Sequence, residues 1–313
     1  FKNFSIYLHK NTLLLSRFNT IVIDEFTAFK NREAKRSKNL KSIISHFDNR
    51  IAMSGTPNSN TILDIWHPTL LIDDGKRLGQ RFWSFRHQVC TPKFNGFANE
   101  WIDKPGIEAV VANQLSDITI RHAIEDCMDL PDNNVRTMYT RLTPAVQKMY
   151  NILAEESVLY TKQGTISAVN AATRVKKLLQ LVSGAVYDQD GNATLLHNER
   201  YELVMQLVSQ RKHSLVAYNW KHERDALIGI AERDNISYEL IDGTVPAHKR
   251  KDIVQRFQAG QIQVLFAHPQ STSHGLTLTR ATTAIWCSPT YSAEQFQQFN
   301  RRIHRAGQTQ KTE

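Results

Sequence analysis

The sequence predicts an α/β protein of two domains, each with a parallel sheet covered by helices. Three observations point there. From about residue 199 onward, short apolar runs (Ser214–Tyr218, Tyr238–Ile241, Val264–Ala267, Thr283–Trp286) alternate with longer amphipathic stretches. A strand buried on both faces reads as an unbroken apolar run, and such strands need helical crossovers between them. Near the start, Ile21-Val22-Ile23 is another run of this kind and ends in Asp24-Glu25. Finally, 313 residues are too many for one small core, and the usual domain size favours two.

Taken in order, Thr20 to Ile23 reads as a strand. The following segment, Phe29 to Lys41, carries Lys30, Arg32, Lys35, Arg36, Lys38 and Lys41 with little acid. It reads either as a solvated basic helix or as a surface that tracks phosphates. Arg50 to Met53 is a second short strand, closed by Ser54-Gly55-Thr56-Pro57-Asn58. Gly followed by Thr-Pro ends a strand sharply and leaves hydroxyls exposed beside it. From Thr61 to Asp126 the pattern is mostly helical and irregular, with Trp66, Phe82, Trp83, Phe85, Phe94, Phe97 and Trp101. These aromatics either fill an accessory helical core or stack bases.

The polar, turn-rich Leu130-Pro131-Asp132-Asn133-Asn134 marks a boundary, giving domains 1–132 and 133–313. Beyond it Val135 to Leu142 reads as a strand, and Pro144 to Tyr160 and Ala168 to Val182 as amphipathic helices. Helices are then expected over Tyr201–Gln210, Lys221–Arg233, Pro246–Ala259 and Ser292–Arg305, between the four strands named above. No internal repeat or low-complexity tract interrupts the pattern.

Composition narrows the function classes. The chain is 41% hydrophobic and 22% charged, ordinary for a globular protein. No stretch approaches the ~18 apolar residues of a membrane span, and no signal-peptide pattern opens the chain, so cytoplasmic residence is expected. The formal charge of +9 and a pI near 9.4 favour a polyanionic partner, with nucleic acid the leading candidate. Cys90, Cys127 and Cys287 stand far apart without a Cys-x-x-Cys pair. Reduced, structural thiols are therefore expected, not a zinc knuckle or disulfide framework.

Two constellations carry chemistry. Asp24-Glu25 would lie at the C-terminal edge of a buried parallel strand, where a hydrated Mg²⁺ and an attacking water can be held. Arg302-Ile303-His304-Arg305, on the expected last helix, sets two guanidiniums three residues apart, a device for gripping phosphates. No Gly-x-x-x-x-Gly-Lys-Ser/Thr occurs, and Asp73-Asp74-Gly75-Lys76 lacks the preceding glycine and the hydroxyl that would ligate Mg²⁺. Since the first residue is Phe1, the chain is expected to be a downstream fragment.

In this order the pieces resemble the Swi/Snf-type, helicase-like ATPases of helicase superfamily two, most closely their compact phage and bacterial members. Asp24-Glu25-Phe26-Thr27 stands where that family has Asp-Glu-Ala-His, and Ser54-Gly55-Thr56-Pro57-Asn58 with Asp64-Ile65-Trp66 resembles its Thr-Gly-Thr-Pro segment and Asp-Leu-Trp tail. The second half supplies Leu215-Val216-Ala217-Tyr218-Asn219, Asp242-Gly243, Ser271-Thr272-Ser273-His274-Gly275-Leu276-Thr277-Leu278 and Gln298-x-x-x-Arg302-x-x-Arg305-x-Gly307-Gln308. The resemblance covers nearly the whole chain.

It implies two RecA-like lobes, the first incomplete and carrying a helical insertion, that clasp ATP between them and DNA across them. By this likeness Asp24 coordinates Mg²⁺, Glu25 polarises the attacking water, and Arg302 and Arg305 reach the γ-phosphate from the opposite lobe. Gly275 and Gln308 contact the nucleotide; Ser54, Gly55, Thr56, Lys30, Ser271 and Thr272 couple hydrolysis to DNA. The implied activity is DNA-dependent ATP hydrolysis driving movement on DNA, largely sequence-independent, in a bacterial host cytoplasm if phage-encoded. Without a phosphate loop the chain as given is expected to bind ATP poorly or not at all, the loop lying upstream or on a separate polypeptide. Phe26-Thr27 in place of Ala-His alters whatever coupling that His makes. The alternative is a non-catalytic DNA-binding remnant or adaptor.

Overall fold

The computed structural model describes residues 11, 15–55, 57–58, 61–94, 99–156, 158–161, 164–167, 171–188, 190–272 and 275–313, with 125, 158–161, 164–167 and 171–172 described by backbone alone. The chain divides into two compact units, Phe1–His122 and Ala123–Glu313.

In the first unit β1 (Thr20–Ile23) and β2 (Asn49–Ala52) pair in parallel, Thr20 opposite Asn49 and Ile23 opposite Ala52. Their crossover is a 3-10 turn, Phe26–Phe29, followed by the helix Lys35–Ile44. That helix buries Leu40, Ile43 and Ile44 against Leu15, Ile23, Phe29, Phe47 and Leu71. Lys35, Arg36, Lys38 and Lys41 are left exposed. A second core forms around Ile62, Trp66, Leu78, Phe85, Val89 and Val111, joining the helices Trp66–Asp73, Phe82–Val89 and Ile107–Gln114. Between the last two helices stands an antiparallel hairpin of β3 (Cys90–Phe94) and β4 (Asn99–Asp103). The sequence reading of this region as helical and irregular misses it, because only Cys90 of its ten residues is buried and no apolar alternation develops.

In the second unit the helices Pro144–Glu156 and Ala171–Ser183 pack through Val146, Leu153 and Leu181. Two hairpins accompany them, β5 (Val158–Thr161) with β6 (Gly164–Ser167), and β7 (Ala185–Tyr187) with β8 (Ala193–Leu195). Then come β9 (Ser214–Ala217), β10 (Tyr238–Ile241), β11 (Val264–Ala267) and β12 (Thr283–Trp286), in the order β10-β11-β9-β12 and all parallel. Leu215, Leu265 and Ala267 point to the face packed by Ile253, Phe257 and Phe299. Val216 and Phe266 point to the other, packed by Tyr201, Val208 and Leu227. This period-2 division explains the unbroken apolar runs: every residue of a central strand has a core to enter.

Three expected elements differ. The helix expected over Pro144–Tyr160 ends at Glu156, and Val158–Tyr160 belongs to β5. Val135–Leu142 is not a strand; only Asn133 bridges to Thr312, and Val135, Met138 and Tyr139 are exposed at 68%, 56% and 86%. Its alternation suits a pleated strand, but no neighbour among the described residues offers it a ladder of backbone partners. The last helix runs only Ala293–Asn300, with the Ser292 hydroxyl accepting from the Gln295 amide at its start, so Arg302 and Arg305 lie beyond it. No helix of the described residues is long and apolar enough to cross a membrane.

The core of the second unit generates two expectations. Phe257 is fully buried, so Phe257→Ala should lower unfolding free energy by about 3–5 kcal/mol in denaturant titrations. His222 is sealed in: its Nε2 faces the Ser183 hydroxyl at 2.9 Å and its Nδ1 the Tyr187 hydroxyl at 3.0 Å. Burial lowers its pKa to about 4, opposed by Asp225 and assisted by His197. The unfolded chain, with a His pKa near 6.5, then binds the proton that the folded chain refuses. Stability from this group should therefore be complete above pH ~6.5, fall between pH ~6.5 and ~4, and change no further below, a total of roughly 3 kcal/mol that His222→Gln removes from the pH profile.

Candidate functional site

The Asp24-Glu25 turn follows β1 directly, and the parallel register brings it beside the end of β2. The Met53 amide donates to the Ile23 carbonyl at 2.8 Å and the Phe26 amide to the Met53 carbonyl at 3.1 Å. The carboxylates are thus stitched to the strand that leads into Ser54 and Gly55. Asp24 is exposed, and its Oδ1 accepts the Glu25 amide at 2.9 Å. Glu25 is exposed with φ 51° and ψ 50°, a left-handed conformation that costs a non-glycine residue on the order of 1 kcal/mol. Strain of that kind at a carboxylate on a strand's C-terminal edge marks a candidate reactive position.

The surrounding side chains are spent on scaffolding. Lys30 forms an ion pair with Asp64 at 3.0 Å, both partly buried, so its ammonium ties the turn to the Asp64-Ile65-Trp66 segment. His67, buried, meets the Phe29 carbonyl with Nδ1 at 2.7 Å; burial lowers its pKa against that bond. Thr27, standing where the resembled family has His, is buried. Ser54 is half-buried and Gly55 exposed. Thr56, Ser273 and His274 lie outside the described residues.

In the second unit Ser271 and Thr272 follow the C-terminal end of β11 and Gly275 lies in the segment after it, whereas Gln308 lies at the opposite edge, beside the segment that leads into β12. Arg302 and Arg305 both direct Nη1 to one acceptor, the Leu276 carbonyl, at 3.5 and 3.0 Å. Leu276 follows Gly275, which is exposed in a left-handed conformation (φ +63°) with open space where a Cβ would sit. Gln308 is buried and wholly engaged: its amide nitrogen donates to the Thr279, Ala281 and Ile303 carbonyls, each at 3.1 Å, while its oxygen accepts the Thr309 and Gln310 amides. Thr272 is buried with its hydroxyl on the Pro269 carbonyl. Ser271 is half-buried and lends its carbonyl to Arg250 Nη1 at 3.2 Å.

Arg250 is the side chain that the residue-by-residue reading missed. Besides Ser271 it reaches the Asp242 and Val245 carbonyls with Nη2, at 3.2 and 3.3 Å, joining the loops after β10 and β11. The signal available was position: eight residues after Asp242, on the helix Ala247–Gln258 that leaves that loop. With Ala247, Lys251, Val254, Gln255 and Leu276 it lines a groove of about 280 Å³. Asp242 is buried; burial raises its carboxyl, but the Thr244 hydroxyl and amide, Tyr218 and Arg224 outweigh it and hold it below the ordinary range. Glu223 accepts the Asn219 and Trp220 amides, fixing the turn after β9.

Among the described residues no three His, Cys, Asp or Glu side chains cluster as a metal cage. A lone outward carboxylate is, however, what Mg²⁺ uses when water and phosphate oxygens complete its shell, and Asp24 fits that donor set.

Comparison with known proteins gives the family. Residues 5–184 match the SNF2-related domain and residues 199–307 the helicase conserved C-terminal domain. The putative protein p41 of Acyrthosiphon pisum secondary endosymbiont phage 1 is 28% identical over 312 residues, covering 94% of this chain and 64% of that protein. The nuclear protein STH1/NPS1 of Saccharomyces cerevisiae is 23% identical over 335 residues, covering 96% of this chain and 24% of its own length. This chain thus spans less than two thirds of either relative. A solved structure, the Sulfolobus solfataricus SWI2/SNF2 ATPase core in complex with dsDNA, aligns with 96% of this chain and 65% of its own at 19% identity and a TM-score of 0.40. With over half its length in the first of these domains and the second following in order, the chain belongs to the SNF2-related, helicase-like ATPases.

Proposed function

We propose that this chain belongs to an ATP-dependent DNA translocase or helicase, in which Asp24, Glu25, Arg302 and Arg305 act on ATP and the loops beside them on DNA. Two observations, one within each unit, support this reading: in the first, a strained Asp24-Glu25 turn bonded to the strand before Ser54 and Gly55; in the second, two guanidiniums on one carbonyl beside an open glycine. Phosphoryl transfer needs positioning and neutralised charge more than covalent help, so carboxylates and guanidiniums are the side chains it requires. A bound Mg²⁺ would supply charge neutralisation at the phosphates, with Asp24 as its protein ligand.

Within that reading Glu25 orients the attacking water and accepts its proton, and the exposed Asp24 keeps its Oδ2 for the metal. Arg302 and Arg305 exchange the Leu276 carbonyl for phosphate oxygens, a stronger, charge-assisted partner. Gly275 lets a nucleotide approach the backbone. Gln308, Thr272 and Lys30 act as positioning groups, since their polar atoms are used inside the protein. The sheet-edge loops grip the DNA backbone through charge, independent of sequence.

Two measurements test the proposal. The chain alone should bind duplex DNA irrespective of sequence, with affinity falling roughly 10²-fold between ~50 and ~200 mM salt, as expected for about four neutralised phosphates; salt-insensitive or absent binding would overturn the DNA half. With a lobe carrying the phosphate loop joined or added, DNA-stimulated ATP turnover should fall about 10²- to 10⁴-fold in Glu25→Gln and about 10³-fold or more in Arg305→Ala, with duplex affinity retained. Unchanged turnover in either variant would remove that residue from the mechanism, and no turnover in the unmodified protein would favour a binding adaptor.

A further inference from the structure

The accessory region of the first unit presents an aromatic row that the proposed ATP and DNA contacts leave unused. The Arg86 guanidinium lies 3.9 Å from the centre of the Trp83 ring and 3.8 Å from that of Trp101, layered between two indoles. No ion pair of Arg86 is found among the described residues, and its Nε is buried without a hydrogen-bond partner. Leaving a guanidinium nitrogen unsatisfied is costly, and the two aromatic faces are what offsets it. The hairpin extends the row. Trp101 stands opposite Pro92, and side chains two apart share a face, so Phe94 lies on the same side as Trp101. Trp83 is 54% exposed and Phe94 68% exposed, at the two ends.

Core packing accounts for Trp101, which lies against the accessory core, but not for the two ends of the row. Trp66, Phe82 and Phe85 already serve the accessory core, whereas Trp83 and Phe94 turn large aromatic surfaces outward. A face of indole, guanidinium, indole and phenyl has the chemistry of a base-stacking platform, since every nucleobase has a π-face and the trapped cation draws the phosphates. The flanking charge agrees: residues 81–104 contain Arg81, Arg86, Lys93 and Lys104 against Glu100 and Asp103.

We propose that the Trp83–Arg86–Trp101–Phe94 face binds single-stranded DNA by stacking its bases. This deepens the translocase reading and rests on it, giving the chain a second, strand-selective DNA contact apart from its duplex grip. A motor with such a contact would hold unpaired DNA at the edge of a duplex.

The test uses the full chain with an oligo-dT of about 15 nucleotides and a blunt duplex, followed by intrinsic indole fluorescence and by anisotropy of labelled DNA. The oligo-dT should quench indole emission. Trp83→Ala should weaken its binding roughly 5- to 150-fold, Phe94→Ala should weaken it in the same direction, and Trp83→Phe should restore most of it, all with duplex affinity unchanged. Trp83→Ala strips one of the two faces from Arg86 and should lower the denaturation midpoint, whereas Trp83→Phe keeps a ring there and should not; a cooperative unfolding transition in each variant shows that its DNA affinity is read on folded protein. Unaltered oligo-dT affinity in Trp83→Ala with normal duplex binding would overturn the platform and leave the translocase reading standing. Equal losses on both DNAs would make the face a general phosphate contact and overturn strand selectivity. Self-association abolished by Trp83→Ala would assign the face to a second copy and overturn the proposal, and failure of the unmodified chain to bind either DNA would overturn both readings.

Discussion

The structure depends on parallel strands held in level register. In the second unit Ile241, Ala267, Ala217 and Trp286 stand side by side as the last residues of their strands. A parallel sheet requires each connection to cross back over a face, so all four C-terminal ends open on one edge. Asn219, Asp242, Ser271 and Ser288 follow those ends and come together there from positions far apart in sequence. The first unit does the same on a smaller scale, bringing Asp24 beside Met53.

Loops leaving such an edge lose the sheet's hydrogen bonds and must be held another way. Arg250 ties two of them through three carbonyls and Asn219 holds the turn at Ser288 and Pro289; at the opposite edge of the sheet Gln308 fastens the closing segment at five backbone groups. The polar residues singled out by the motifs therefore divide into those that hold the loops and those offered outward. Gln308 and Thr272 belong to the first kind and Asp24 and Gly275 to the second; a motif treats them alike, whereas burial and hydrogen-bond partners separate them.

Legibility in the sequence followed the same physics. Val264–Ala267 was readable to the residue because both faces of the strand are buried and leave an unbroken apolar run; Thr283–Trp286, an edge strand with Ala284 and Trp286 half-buried, was readable from its short, largely apolar run between two turns. Lys221–Arg233 was equally clear, bounded by the end of one strand and the turn before the next. The β3–β4 hairpin was not, since its stability comes from the Trp101 stack and the Cys90–Asp103 contact and not from a periodic apolar face. The arginine pair was identifiable, but its setting was not: the sequence places it on a helix, whereas the helix ends at Asn300 and Ile303 enters the core beyond it. Arg250's role and the left-handed turn at Glu25 depend on tertiary hydrogen bonds, which leave no periodicity to read.

Glu25 shows most directly how fold and site compete. A left-handed residue between a strand and a 3-10 turn is best filled by glycine, or by asparagine among the side-chain-bearing residues. Glutamate there brings no buried area in return, being exposed, and the strain is borne by neighbours: the Glu25 amide on Asp24 Oδ1 and the Phe26 amide on the Met53 carbonyl. The left-handed backbone at this point is a cost that a glycine would not incur. Under the proposed function the strained turn would serve to hold the Glu25 carboxylate at the edge where parallel strands present their loops.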